Sequence, residues 1–167
     1  LELSTRCRLV PLIGNHEVMM LVARDDPGQL NYWLQFGGIE TLASYGDDLD
    51  SLDAIPDEHF LFIDNCHSYF ETENHIFLHA NYWPEQPLKD LPALMLRWES
   101  LRQRQPGPHC SGKTAILGHT SQKNGEILDL GHLKCIDTCC YGDGWLTAMD
   151  VENGQQWQPD KYGRMRG

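Results

Sequence analysis

The chain has 167 residues, 41% of them apolar and 22% charged, and a formal net charge of −11. That length suits one domain with a single sizeable core. The acidity argues against a general nucleic-acid binder, because phosphates repel such a surface, and no apolar run approaches the ~20 residues that span a bilayer.

In chain order, residues 1–7 (LELSTRC) read as the last turn of a helix already under way, so the chain is expected to be cut at its N-terminus. Residues 8–13 (RLVPLI) read as a short strand feeding a tight turn at Gly14. Residues 17–23 (EVMMLVA) carry good helix formers. This strand–turn–helix context places Asn15 and His16 in a loop at the carboxyl end of a strand, where α/β folds usually bind ligands. Residues 29–45 predict two helices broken at Gly37-Gly38, and residues 56–64 a helix opened by Pro56 and acidic residues. Residues 68–73 and 75–79 predict two strands joined at Glu73-Asn74. Residues 87–105 predict a helical region that ends at the Pro106-Gly107-Pro108 run.

The remainder is strand-like over residues 114–117, 126–128, 133–137, 146–151 and 155–157. Asn124-Gly125, Asp143-Gly144 and Asn153-Gly154 separate most of these segments, and Asn-Gly between apolar runs is a hairpin signal. The expected class is α/β, mixed in the first half and β-rich in the second. The six cysteines form no C-x-x-C pair and fit no disulfide framework. They are expected to be small buried apolar residues, and, with no signal-peptide pattern, the compartment is expected to be the cytoplasm. Tyr32, Trp33, Phe36, Tyr82 and Trp83 are expected to fill the core rather than to stack on a base.

Three apolar strands each run into a histidine-bearing loop: Gly14-Asn15-His16-Glu17, Leu78-His79-Ala80 and Leu117-Gly118-His119-Thr120. A strand fixes the backbone of such a histidine, and the loop lets the imidazole face a shared cleft, which suits metal binding. Read in order, G-N-H-E, H-A and G-H-T resemble the calcineurin-like metallophosphoesterases. The resemblance is nearest to the bacterial serine/threonine protein phosphatases and the related symmetrical diadenosine tetraphosphatases. Ile136-Asp137-Thr138, Cys139, Gly142, Gly144 and Leu146-Thr147-Ala148 are similar to the strand-and-turn segment after the G-H motif of that family.

The resemblance implies a β-sandwich flanked by helices, with residues 1–167 forming the C-terminal portion of a single domain whose N-terminal part is missing. It implies a dinuclear site for two divalent ions, manganese, iron or zinc, of which this chain supplies ligands for one: Asn15, His79 and His119. It makes His16 the general acid toward the leaving oxygen and Glu17 a support for the loop. Metal-activated hydroxide would attack phosphorus in line, with no phosphoenzyme. Arg97 and Arg102 are the candidate phosphate-binding residues, since guanidinium forks match phosphate oxygens. The family's Trp-x-Arg spacing meets Ser100 after Trp98, and its D-T-G-C reads D-T-C-C here, with Cys140 in place of glycine. The family's D-x-H and G-D-x-x-D-R-G motifs are expected upstream, so this chain alone is expected to turn over phosphoesters poorly. The substrate class is a phosphorylated protein or a small phosphoester, with no nucleic-acid or membrane partner. The alternatives are a diadenosine tetraphosphatase-like hydrolase and a truncated non-catalytic module.

One motif competes. Residues 107–114 (GPHCSGKT) match the G-x-x-x-x-G-K-T phosphate loop. That loop needs a buried strand before it and a helix after it. Here a polar stretch precedes it, a strand is expected to follow, and Pro108 removes an amide donor. ATP with magnesium is therefore expected to leave the thermal midpoint unchanged, and a saturable rise in a melting titration would restore the nucleotide reading.

Overall fold

The structure, a computed structural model, describes residues 2–167. The chain divides into two compact units, Leu1–His67 and Ser68–Gly167. No helix among the described residues is long and apolar enough to cross a membrane.

The first unit is helical. Of the helix expected over residues 1–7, Leu1 lies outside the described residues, and Glu2–Thr5 forms one 3₁₀ turn. Residues 8–13 join no sheet within this unit. Leu12 instead bridges in parallel to His67, with Ile13 N–H donating to the His67 carbonyl at 2.9 Å and His67 N–H to the Pro11 carbonyl at 2.8 Å. Pro11 lacks an N–H, which limits the ladder this segment can make. Helix α1 (Asn15–Asp25) buries Met19, Met20 and Ala23, which share one face at helical spacing. Arg24 near its end donates to Asp64 at 2.7 Å, tying α1 to α4 (Asp57–Asp64).

Between them lie α2 (Leu30–Trp33) and α3 (Ile39–Ala43), separated by a widened turn over Leu34–Gly38. Gly37 takes φ +91° there, and a Cβ on Gly38 would sit 2.8 Å from the Trp33 ring, so the glycine pair breaks the helix and admits the buried indole. Trp33 and Leu42 are the deepest apolar residues of this unit, while Tyr32 and Phe36 are exposed with ring centroids 5.0 Å apart. The core reading thus holds for Trp33 and not for Tyr32 or Phe36.

The second unit is a mixed α/β layer. Strands β1 (Tyr69–Glu71), β2 (His75–Leu78), β3 (Thr114–Leu117), β4 (Leu128–Asp129) and β5 (Leu133–Cys135) form a five-stranded sheet in the order β1-β2-β3-β5-β4. The outer pairs are antiparallel and the inner pairs β2–β3 and β3–β5 are parallel. Parallel neighbours need a long crossover, and residues 79–113 provide the one from β2 to β3. They contain helix α5 (Ala93–Trp98), preceded by a 3₁₀ turn at Leu88–Asp90. The helix is shorter than residues 87–105 suggest, because Pro92 caps it at one end and Glu99 leaves it in extended conformation at the other. Ile76, Leu78, Tyr82, Met95, Leu96, Leu117 and Leu133 pack one core, with Trp83 against its side.

Two ribbons follow: β6 (Asp137–Thr138) with β7 (Trp145–Leu146), and β8 (Ala148–Met149) with β9 (Gln156–Trp157). The second turns at Asn153-Gly154, with Gly154 at φ +77°. Arg166 fastens this region by donating to the Gly125 carbonyl at 3.2 Å and to Gln158 at 3.1 Å, and it lies over the Trp145 ring. All six cysteines are free, and Cys7 and Cys110 are exposed rather than buried.

The β6–β7 turn admits no side chain at Gly144, where a Cβ would stand 1.9 Å from the Thr138 carbonyl oxygen. Gly144→Ala is expected to cost about 1–3 kcal/mol, read as a lower urea midpoint. Gly46→Ala, whose Cβ meets nothing within 4 Å, is expected to be near neutral, and equal midpoints for the two variants would contradict the close approach.

Candidate functional site

In the first unit, Gly14 is the N-cap of α1, so Asn15 and His16 open the helix instead of lying in a loop before it. The Glu17 carboxylate reaches back and accepts the Gly14 N–H at 2.9 Å. This satisfies one of the amides a helix start leaves unpaired, and it puts a negative charge where the helix dipole favours one. Asn15 is buried and His16 exposed. Glu17 also lines a cavity of about 360 Å³ with Pro11, Leu12, Phe62, Cys66 and the hydrogen-bonded pair Tyr45–His59, whose Oη–Nδ1 separation is 2.7 Å. Burial pushes the Cys66 thiol up, and the Glu17 charge adds to the shift. The sequence reading missed this cavity, because its lining comes from three separated segments.

In the second unit, β2 and β3 run side by side in parallel, with Phe77 opposite Ile116. Their carboxyl ends therefore fall at one edge, and the next residues of each strand bring His79 and His119 together, ring centroids 5.0 Å apart. The Gly118 N–H donates to the His79 carbonyl at 2.9 Å, which locks the two strand ends to each other. His119 holds φ +60°, a left-handed conformation that few residues other than glycine adopt. Its Nε2 lies 3.0 Å from the Trp98 carbonyl oxygen. A carbonyl can only accept, so Nε2 carries the proton and the neutral ring has its lone pair on Nδ1.

The spacing of the two rings matches that of two imidazoles on one divalent ion. Two imidazoles that share an ion roughly 2.1 Å from each nitrogen have centroids about 5 Å apart at a tetrahedral angle. A ring whose second nitrogen donates to a backbone carbonyl is also the usual form of a metal-binding histidine. No third His, Cys, Asp or Glu completes a metal-binding group among the described residues. Asn15, His16 and Glu17 belong to the first unit, and the two histidines and both candidate arginines to the second.

The arginines differ. Arg97, in the last turn of α5, is partly buried. Its Nη2 donates to Ser68 Oγ at 2.8 Å, and its buried Nε has no hydrogen-bond partner among the described residues. It makes no ion pair with a carboxylate among those residues. Arg102 is exposed and donates to the Ser121 carbonyl. Of the two, Arg97 is the partly buried guanidinium with donor capacity to spare.

Cys135, at the end of β5, is buried beneath the same edge. Its thiol lies 3.4 Å from both the Gly118 and the Thr120 carbonyl oxygens, and burial pushes its pKa up. Sequence reasoning passed over Cys135, Thr120 and the Trp98 carbonyl; of these only Thr120 carries a signal, as the third letter of G-H-T.

The segment at residues 107–114 does not build a phosphate loop. Gly112 turns at φ +73° and β3 begins at Thr114, so a strand stands where the helix is required. His109 is buried, with Nδ1 2.7 Å from Ser111 Oγ and Nε2 2.9 Å from the Gln86 carbonyl oxygen.

Comparisons with protein-family models, with curated proteins and with solved structures find no match. The geometry of His119 is directly measurable. Long-range 15N–1H spectra above the titration of the ring are expected to show His119 as the Nε2–H tautomer, and an Nδ1–H tautomer would overturn the assigned geometry.

Proposed function

We propose that this chain belongs to a metal-dependent phosphoester hydrolase, with His79 and His119 as ligands of a divalent ion, manganese, iron or zinc. The observation that carries the proposal is the His79–His119 pair at the carboxyl edge of two parallel strands, with the Nε2 of one ring on a backbone carbonyl. Asn15 as a further ligand and His16 as general acid enter on the G-N-H-E motif and its resemblance to calcineurin-like metallophosphoesterases. The same resemblance makes the sheet one layer of a β-sandwich and a serine/threonine phosphoprotein the favoured substrate.

The chain's own residues have separable tasks in this reading. The β2–β3 pairing orients the two imidazoles before any ion binds, which lowers the ordering cost of binding. Arg97 holds phosphate oxygens through a guanidinium that no carboxylate neutralises among the described residues. Glu17 fixes the start of α1, and with it the backbone that carries His16. His16, exposed at that start, donates a proton to the leaving oxygen. A divalent ion, when bound, supplies Lewis acidity toward water and charge neutralisation toward phosphate.

Equilibrium dialysis against manganese and zinc tests the centre. His79→Ala and His119→Ala are each expected to weaken binding by about tenfold or more. Arg97→Ala is expected to leave metal affinity within about twofold while weakening competition by inorganic phosphate, since phosphate is that residue's proposed partner. Unchanged metal binding in both histidine variants would sink the proposal.

A further inference from the structure

His119 is held by more than its own strand. The segment from Trp98 to Arg102 runs beside the loop from His119 to Ser121, and several hydrogen bonds join them. The His119 Nε2–H donates to the Trp98 carbonyl at 3.0 Å, the Leu101 N–H donates to Thr120 Oγ1 at 2.8 Å, and the Arg102 guanidinium donates to the Ser121 carbonyl. The middle bond is the buried one. Thr120 is 3% exposed, and its hydroxyl also lies 3.2 Å from Ser100 Oγ. Thr120 is itself fixed: its N–H donates to the Gly118 carbonyl, and its carbonyl accepts from Gln122 Nε2.

The Trp98 carbonyl is one of those that a helix end leaves without an intrahelical partner. Beyond Trp98 the chain leaves α5 in extended conformation, so the helix alone does not dictate where that carbonyl points. The next anchors along the chain are Ser100 Oγ and the Leu101 N–H, both on the Thr120 hydroxyl.

We propose that Thr120 is a positioning residue of the histidine centre: by accepting the Leu101 N–H, its hydroxyl keeps the Trp98 carbonyl on His119 Nε2 and the imidazole lone pair on Nδ1. This rests on the metal-centre reading for its functional meaning, although the tautomer it sets is a property of the chain without metal. Thr120 touches no reacting atom and acts through a backbone carbonyl. Partners of this kind matter because a ligand ring in the wrong tautomer must exchange a proton before it can bind.

The test uses the whole 167-residue chain. Thr120→Val keeps the shape and removes the acceptor, while Thr120→Ser keeps the hydroxyl. Two quantities are read: the His119 tautomer from 15N shifts without metal, and the dissociation constant for manganese or zinc. Thr120→Val is expected to give a mixture of His119 tautomers and about tenfold weaker metal binding, with Thr120→Ser close to the parent in both. Should the Val variant fail to fold by circular dichroism, Thr120→Ala is read in its place with the same expectation. An unchanged tautomer in Thr120→Val, or in that replacement, overturns the positioning role. So does a metal affinity within twofold of the parent in a series where His119→Ala abolishes binding. If His79→Ala and His119→Ala bind metal like the parent, the metal-centre reading fails, and the tautomer measurement alone decides the role of Thr120.

Discussion

The parallel pairing of β2 with β3 is the constraint on which the second unit depends. Its register sets Ile76 against Ala115 and Phe77 against Ile116, so both strands reach the same edge at the same level. Shifted by one residue, Leu78 and Leu117 would leave the core and the two imidazoles would part, since side chains alternate between faces. Burial of both leucines, at 2% and 1% exposure, ties the register to the hydrophobic effect. The geometry of the histidine pair is thus a by-product of packing a core about 25 cal/mol per Å² at a time.

Local elements were legible in the sequence where a local signal exists. The α4 start at Pro56 with Asp57 and Glu58, the turn between β1 and β2, and the break at Gly37-Gly38 all follow from residues whose preferences act within a few positions. What could not be read was pairing between distant segments. Nothing near residues 133–135 announces that they lie beside 115–117, because partner choice comes from the assembled core. The extended stretch before Gly14 shows the same limit. Its apolar run reads as a strand, yet within its unit Leu12 makes an isolated bridge to His67 instead of a ladder.

The candidate site divides along similar lines. Its histidines stand out because they follow apolar strands, and their meeting needed only the strand order. The hydrogen bond from His119 to Trp98 had no such signal, since its acceptor is a main-chain carbonyl that every residue possesses. Arg97 and Arg102 looked equivalent in sequence and separate only by burial and partners. Asn15 and His16 open the helix where a loop is expected, because the Glu17 carboxylate on the Gly14 N–H lets α1 begin at Asn15.

Cys135 carries a consequence for the metal selectivity that the proposed centre would have. A thiol binds metal only after losing its proton, and soft ions reward that loss strongly enough to draw a nearby sulfur into coordination. Beneath the histidine edge, burial keeps the Cys135 sulfur protonated, and the carbonyls of Gly118 and Thr120 give its hydrogen somewhere to rest. A centre built above it would offer nitrogen and oxygen donors and withhold sulfur. Such a centre would discriminate against copper(I) and other thiophilic ions by what it keeps neutral, and the same burial protects the sulfur from oxidants that attack thiolates.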